Sequence, residues 1–195
     1  MKKAAIIGWN GKRNAGDDAM LLSMLNSIGL LNFIDEVVIW GDKKHMPAGI
    51  FNSFRKTVAL PLFEFISNIR GLRKFVSHYY YTPKYLNDCD YILIGGGSML
   101  SHEKSINNFN NIISIQKASN PNSKVYLCSV SVGPFLSETA KSAFLSFSKL
   151  IDGATIRDQR SFDLIQSMQV PFRNELFPDI ALSYSGYTSR FERQS

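Results

Sequence analysis

Asp90-Tyr91-Ile92-Leu93-Ile94-Gly95-Gly96-Gly97-Ser98 decides the fold class. A short run of β-branched and aromatic residues reads as a buried strand, and it runs straight into three glycines. The same grammar recurs on both sides. Ala4-Ala5-Ile6-Ile7 reads as a strand ending at Gly8, and Glu36-Val37-Val38-Ile39-Trp40-Gly41 as another. Lys124 to Val130 is a strand broken at Gly133-Pro134, and Ala154-Thr155-Ile156-Arg157 a short one. Helical periodicity fills the intervals. Met20, Leu21, Met24, Leu25 and Ile28 share one face of a helix over 17–29. Leu62, Phe65, Ile66, Ile69, Leu72, Val76 and Tyr79 recur at the same spacing over 62–80, behind Pro61. A third helix is expected over about 105–118, before the turn Asn120-Pro121-Asn122-Ser123. Ser137 caps a fourth, whose Ala140, Ala143, Phe144, Phe147 and Leu150 face the core. A fifth carries Phe162, Ile165 and Met168, ahead of Pro178-Asp179-Ile180-Ala181-Leu182.

Strands alternating with helices imply an α/β fold, a Rossmann-like, largely parallel sheet flanked by helices. In such sheets ligands bind beyond the carboxyl ends of the strands. The residues after each strand are therefore where function is sought, and four loops (9–17, 95–101, 131–136 and 157–161) are expected on one edge.

The composition agrees. The 195 residues are 45% apolar and 19% charged, which excludes a disordered chain and a collagen-like one. The length suits one domain of ordinary size, or a domain with a long insertion. No run approaches the ~18 apolar residues of a spanning helix, and the apolar run at the N-terminus is too short for a secretory signal. Cys89 and Cys128 are too few for a disulfide scaffold and too far apart for a zinc ribbon. A reduced, cytoplasmic protein is the default.

The net charge of +6 is concentrated. Residues 43–84 hold eight basic side chains and one acidic one, so the rest of the chain is close to neutral. This segment also carries eight aromatics. Peripheral contact with anionic lipid at the inner membrane face is one expectation for it. A solvated helix face packed on its apolar side is the other. No nucleic-acid partner is expected.

The loops themselves are distinctive. Gly8 to Asp18 lacks both G-x-G-x-x-G and the Walker A ending, and Asp17 and Asp18 at the helix start would repel a phosphate. Capping and turn geometry compete there with a ligand-facing role. Gly95-Gly96-Gly97-Ser98 admits close approach of a ligand, or tight helix–strand packing. Ser131 and Gly133 lie on a strand exit whose hydroxyl and amides can receive an anion or a sugar. Arg157, at a strand's end, is placed to hold a carboxylate or phosphate. Asp158 is read as a helix cap. Asp88-Cys89-Asp90 matches a D-x-D pattern but precedes its strand, at the wrong end of a parallel sheet. His45, His78 and His102 show no metal spacing, and no G-x-S-x-G is present.

Five motifs in series resemble the polysaccharide pyruvyl transferase family. They are Asn14-Ala15-Gly16-Asp17-Asp18-Ala19, Asp90 to Ser98 with its triglycine, Gly133-Pro134, Arg157-Asp158-Gln159-Arg160-Ser161, and Pro178-Asp179-Ile180-Ala181. The resemblance implies a two-domain, GT-B-like enzyme that transfers the pyruvyl unit of phosphoenolpyruvate to a sugar of a cell-surface polysaccharide, free or lipid-linked, as a ketal. It implies no cofactor beyond that donor, and no metal-ligating residues are read from the sequence. Residues 1–184 would form the N-terminal Rossmann-like domain and 185–195 a tail or the start of a linker. The second domain would carry the catalytic histidine and further basic residues, so the chain alone is expected to be incomplete for catalysis. Carried onto this sequence, Arg157 and Asp17 are the expected catalytic residues. Asn14, Gly16, Asp18, Gly95, Gly96, Gly97, Ser98, Ser131 and Gly133 are expected to bind substrate. The alternatives are a non-catalytic carbohydrate- or nucleotide-binding module, or half of a GT-B-like glycosyltransferase.

Overall fold

A computed structural model of the chain describes residues 1–10, 14–30, 33–41, 46, 56–60 and 86–182. Seven strands form one all-parallel sheet: β1 (Lys3–Asn10), β2 (Glu36–Gly41), β3 (Lys56–Leu60), β4 (Tyr91–Gly95), β5 (Lys124–Val130), β6 (Gly153–Ile156) and β7 (Arg173–Leu176). Four helices accompany them among the described residues: α1 (Ala15–Leu30), α2 (Glu103–Ser119), α3 (Glu138–Ser148) and α4 (Gln159–Met168).

The strand order is β3-β2-β1-β4-β5-β6-β7. The chain builds outward from β1 to β3, then returns to lay β4 on the other side of β1. The direction of winding reverses there, leaving a crevice beyond the carboxyl ends of β1 and β4, the usual ligand site of an open α/β sheet.

Side chains alternate across the strands and so feed two cores. Ile6, Val37 and Ile39 meet Leu21, Met24, Leu25 and Ile28 of α1 on one face. Ala5, Ile7, Ile92, Ile94, Val125 and Leu127 turn to the other, where α2, α3 and α4 contribute Ile106, Ile113, Phe144, Phe147 and Ile165. Phe144 and Phe147 are wholly buried, and truncating either to alanine would cost about 3–5 kcal/mol.

Most elements lie where the periodicity puts them, and the differences have physical causes. Gly8 does not end β1, which runs on to Asn10. The glycine instead lets β1 pass the Gly95 carbonyl at a distance no side chain would permit. Asn10 holds the irregular end by donating from Nδ2 to the Trp40 carbonyl at 3.0 Å. The strand at 91 takes in Gly95, and Arg157 lies just past β6. Two strands were not anticipated, β3 and β7. The second is the polar edge strand Arg173-Asn174-Glu175-Leu176, whose pattern carries no buried face.

The amino end of the sheet is bound by ion pairs. Lys2 reaches Asp90 at 2.8 Å and Lys3 reaches Asp88 at 2.8 Å, so the D-x-D carboxylates are structural, as their place before the strand implies. The helix expected over 62–80, most of the basic segment 43–84 and the tail 185–195 lie outside the described residues, and the membrane expectation lies there with them. No helix among the described residues is long and apolar enough to cross a membrane.

Candidate active site

The crevice between β1 and β4 is bounded by the start of α1 and the triglycine loop. Asn14 begins the helix: its Oδ1 accepts from the Gly16 amide at 3.0 Å, and its carbonyl accepts from the Asp18 amide at 3.0 Å. This turn delivers Asp17, half-buried, to the carboxyl edge of the sheet. Asp17 stands against the triglycine loop, where a Cβ on Gly96 would sit 3.6 Å from its Oδ1.

The three glycines divide the work. Gly95 serves packing: a Cβ there would lie 2.5 Å from Met24 Sδ, so α1 closes directly on the strand. Gly96 and Gly97 have φ of +101° and +61°, a reversal that only glycine makes without strain; Gly96 is buried and Gly97 half-buried. Nothing lies within 4 Å of a Cβ position on Gly97, which leaves room for a ligand. Ser98 is exposed beyond it, and its carbonyl accepts from the Ser101 hydroxyl at 3.2 Å.

The β5 exit crosses beside this loop. The Ser131 amide donates to the Gly97 carbonyl at 3.3 Å and the Gly133 amide to the Leu100 carbonyl at 3.1 Å. Gly133, with φ +70°, packs against Leu164, whose Cδ2 would lie 2.6 Å from a Cβ. The approach to Ser131 is set by an irregularity in the β5–β6 register between Leu127 and Val130. Ser129 takes a left-handed conformation there, φ 53°, held by its amide donating to Thr155 Oγ1 at 2.8 Å. Such a backbone costs of order 1–3 kcal/mol and is characteristic of functional edges.

Arg157 completes the cluster. Its Nε donates to Ser131 Oγ at 2.7 Å and its Nη1 to Asp179 Oδ2 at 3.0 Å. Asp179 is itself fixed, because its Oδ1 accepts from the Ala181 amide at 3.0 Å. The Ile180 amide donates to Ser129 Oγ at 2.9 Å, tying the chain after β7 across the sheet edge. Asp158 caps α4, as read from the sequence: Oδ1 accepts from the Ser161 amide and Oδ2 from the Ser161 hydroxyl, both at 2.9 Å.

The described residues of all four loops therefore meet on one edge. Asn14, Asp17, Gly96, Gly97, Ser131 and Arg157 are brought together, whereas Gly95 and Gly133 face packed neighbours. Asp179, which the sequence offers only as part of the Pro178–Ala181 motif and without a role, pairs with Arg157 22 residues away. Ser129 stands in the same strand exit as Ser131, but its left-handed backbone follows from the register shift and leaves no trace in the sequence. Among the described residues no group of three histidine, cysteine, aspartate or glutamate side chains is arranged to hold a metal ion.

A model of the polysaccharide pyruvyl transferase family matches residues 14–193. The chain belongs to the polysaccharide pyruvyl transferase family. No match was found among curated proteins or among solved structures.

The electrostatics of this pyruvyl transferase cluster are unusual for an anion site. Partial burial, then the neighbouring Asp18 carboxylate, push the Asp17 pKa up, while Arg157 and the Asn14 hydrogen bond pull the other way. Asp158 is the reverse. Burial works against its charge, yet the Ser161 amide, the Ser131 and Ser161 hydroxyls and Arg157 together hold its pKa below the ordinary value. Arg157 stands among acids, with two of its five N–H groups already engaged. A half-buried carboxylate with a raised pKa is chemically suited to accept a hydroxyl proton.

Proposed function

We propose that this chain supplies the acceptor side of a reaction that moves the pyruvyl unit of phosphoenolpyruvate onto a sugar of a cell-surface polysaccharide. Two sugar hydroxyls add to C2 of the donor. One of their protons ends on the former methylene, making it a methyl group, and the other leaves with inorganic phosphate. The product is a cyclic pyruvate ketal.

The observation that carries this reading is Asp17, with its raised pKa, at the switch point between β1 and β4. Asp17 takes the proton of the attacking hydroxyl, a role worth typically ~10²–10⁴-fold in rate. Gly96 and Gly97 let the sugar approach the backbone. Arg157, oriented by Ser131 and Asp179, meets the donor carboxylate through the N–H groups left to it. The remaining positive charge for the phosphate, and the acid that protonates the methylene, lie outside this cluster. On this reading the protein works in the cytoplasm, on an acceptor that is free or lipid-linked at the inner membrane face.

The test is genetic and chemical. The gene is deleted in its own host, and acid-labile pyruvate on purified surface polysaccharide is measured. Loss of the ketal, restored by the wild-type gene, is the expected result; an unaltered ketal content would refute the assignment.

A further inference from the structure

A groove of about 590 Å³ opens beside Ser131, between the start of α3 and the start of α4. It lies outside the Asp17–Arg157 cluster but shares Ser131 with it. Its volume is in the ~300–1,000 Å³ range that accepts a drug-sized ligand, more than one sugar ring. Phe135 and Leu164 give it an apolar wall, and Phe135 is steadied by Phe144, with ring centroids 5.5 Å apart.

Besides Asp158, three charged side chains line it: Glu138, Lys141 and Arg160. None has a hydrogen-bond or ion-pair partner among the described residues. Asp158 also lines the groove, but both its oxygens are occupied by Ser161. The balance of charge argues against an anion. Free donors from Lys141 and Arg160 alternate with a free acceptor, Glu138, around an apolar wall. A pyranose matches that pattern, with hydroxyls at its rim that both donate and accept, and C–H groups on its face.

We infer that this groove binds neutral pyranose units of the acceptor glycan, the residues adjoining the one that reacts. The inference rests on the pyruvyl-transfer reading for the word acceptor, but glycan binding is measured independently of transfer. A chain seated here passes Ser131 and delivers its end toward Arg157 and Asp17.

The experiment follows backbone amide shifts of the full chain on titration with methyl glycosides of three neutral disaccharides, cellobiose, maltose and lactose, and separately with inorganic phosphate. Saturable shifts for at least one disaccharide, confined to residues 131–141 and 157–164 and not displaced by phosphate, are expected. Glu138→Ala and Arg160→Ala, both at exposed positions, should each weaken binding by about tenfold, with amides elsewhere unchanged as the folding control. Shifts centred elsewhere, displacement by phosphate, or no binding by any of the three sugars would overturn the inference. Any of those results would leave the ketal measurement on the host polysaccharide standing.

Discussion

Arg157 donates to Asp179 at 3.0 Å, so the segment that follows the last strand of the sheet pairs with a guanidinium at the carboxyl edge. The guanidinium is also held through Nε by Ser131, which aims it but takes donors away from a substrate.

Asp179→Asn is therefore expected to tighten binding of phosphoenolpyruvate to the chain by roughly fivefold. That corresponds to removing about 1 kcal/mol of competing ion pairing at a partly exposed site. Arg157→Ala should weaken the same binding at least about tenfold, because a charge-assisted hydrogen bond contributes roughly 1.5–3 kcal/mol. Arg157→Lys should recover only part, since a point charge does not reproduce the fork. Calorimetric titration checks all three. Affinity unchanged by both Asp179→Asn and Arg157→Ala would make the pair purely structural.

Asp158 gives a prediction in pH. Its pKa is depressed on folding, so its stabilisation is present above the unfolded value of a carboxylate and is lost as pH falls through the folded one. Asp158→Ala removes the α4 cap and should cost about 1 kcal/mol near neutrality. Denaturant titrations should show the wild-type advantage over the variant shrinking in acid. A gap that stays constant down to strongly acidic pH would contradict the cap's ionic character.

The triglycine turn predicts a contrast between neighbours. Gly96 and Gly97 both have positive φ. Alanine at either should destabilise by about 1–2 kcal/mol from backbone strain alone. Asparagine at Gly97, where space is open, should cost much less, because it tolerates the left-handed region. Equal losses for Gly97→Ala and Gly97→Asn, measured by urea unfolding, would show that size rather than conformation governs the site.

Burial pushes the thiols of Cys89 and Cys128 up to about 12. Neither should react appreciably with a disulfide reagent at mildly alkaline pH in the native state, and both should react on unfolding. Rapid labelling of Cys89 in the native protein would refute its placement in the core.

The parts of the fold that were legible in the sequence are those where burial leaves a periodic trace. Tyr91 to Ile94 and Lys124 to Val130 announce themselves because a parallel strand covered on both faces is apolar throughout. Asp158 and Ser137 were readable as caps because that chemistry is local. β7 was not, because an exposed edge strand such as Arg173-Asn174-Glu175-Leu176 needs no apolar pattern. Asn14, Asp17, the glycines and Arg157 were recoverable as strand-end residues. The engagement of Arg157 by Asp179 was not, since it depends on where the chain after β7 folds back. The same holds for the raised pKa of Asp17, which comes from burial and from Asp18 at the start of α1.

Asp17 and Arg157 are the proposed working groups of a pyruvyl-transfer site at the switch point. The most direct measurement replaces the host gene with Asp17→Asn or Arg157→Ala and quantifies pyruvate ketals on the surface polysaccharide, with protein level monitored in parallel. The account predicts that Asp17→Asn lowers ketal formation by at least ~10²-fold, the lower end of a proton-transfer contribution, at unchanged protein abundance. Wild-type ketal content in the Asp17→Asn strain would contradict it.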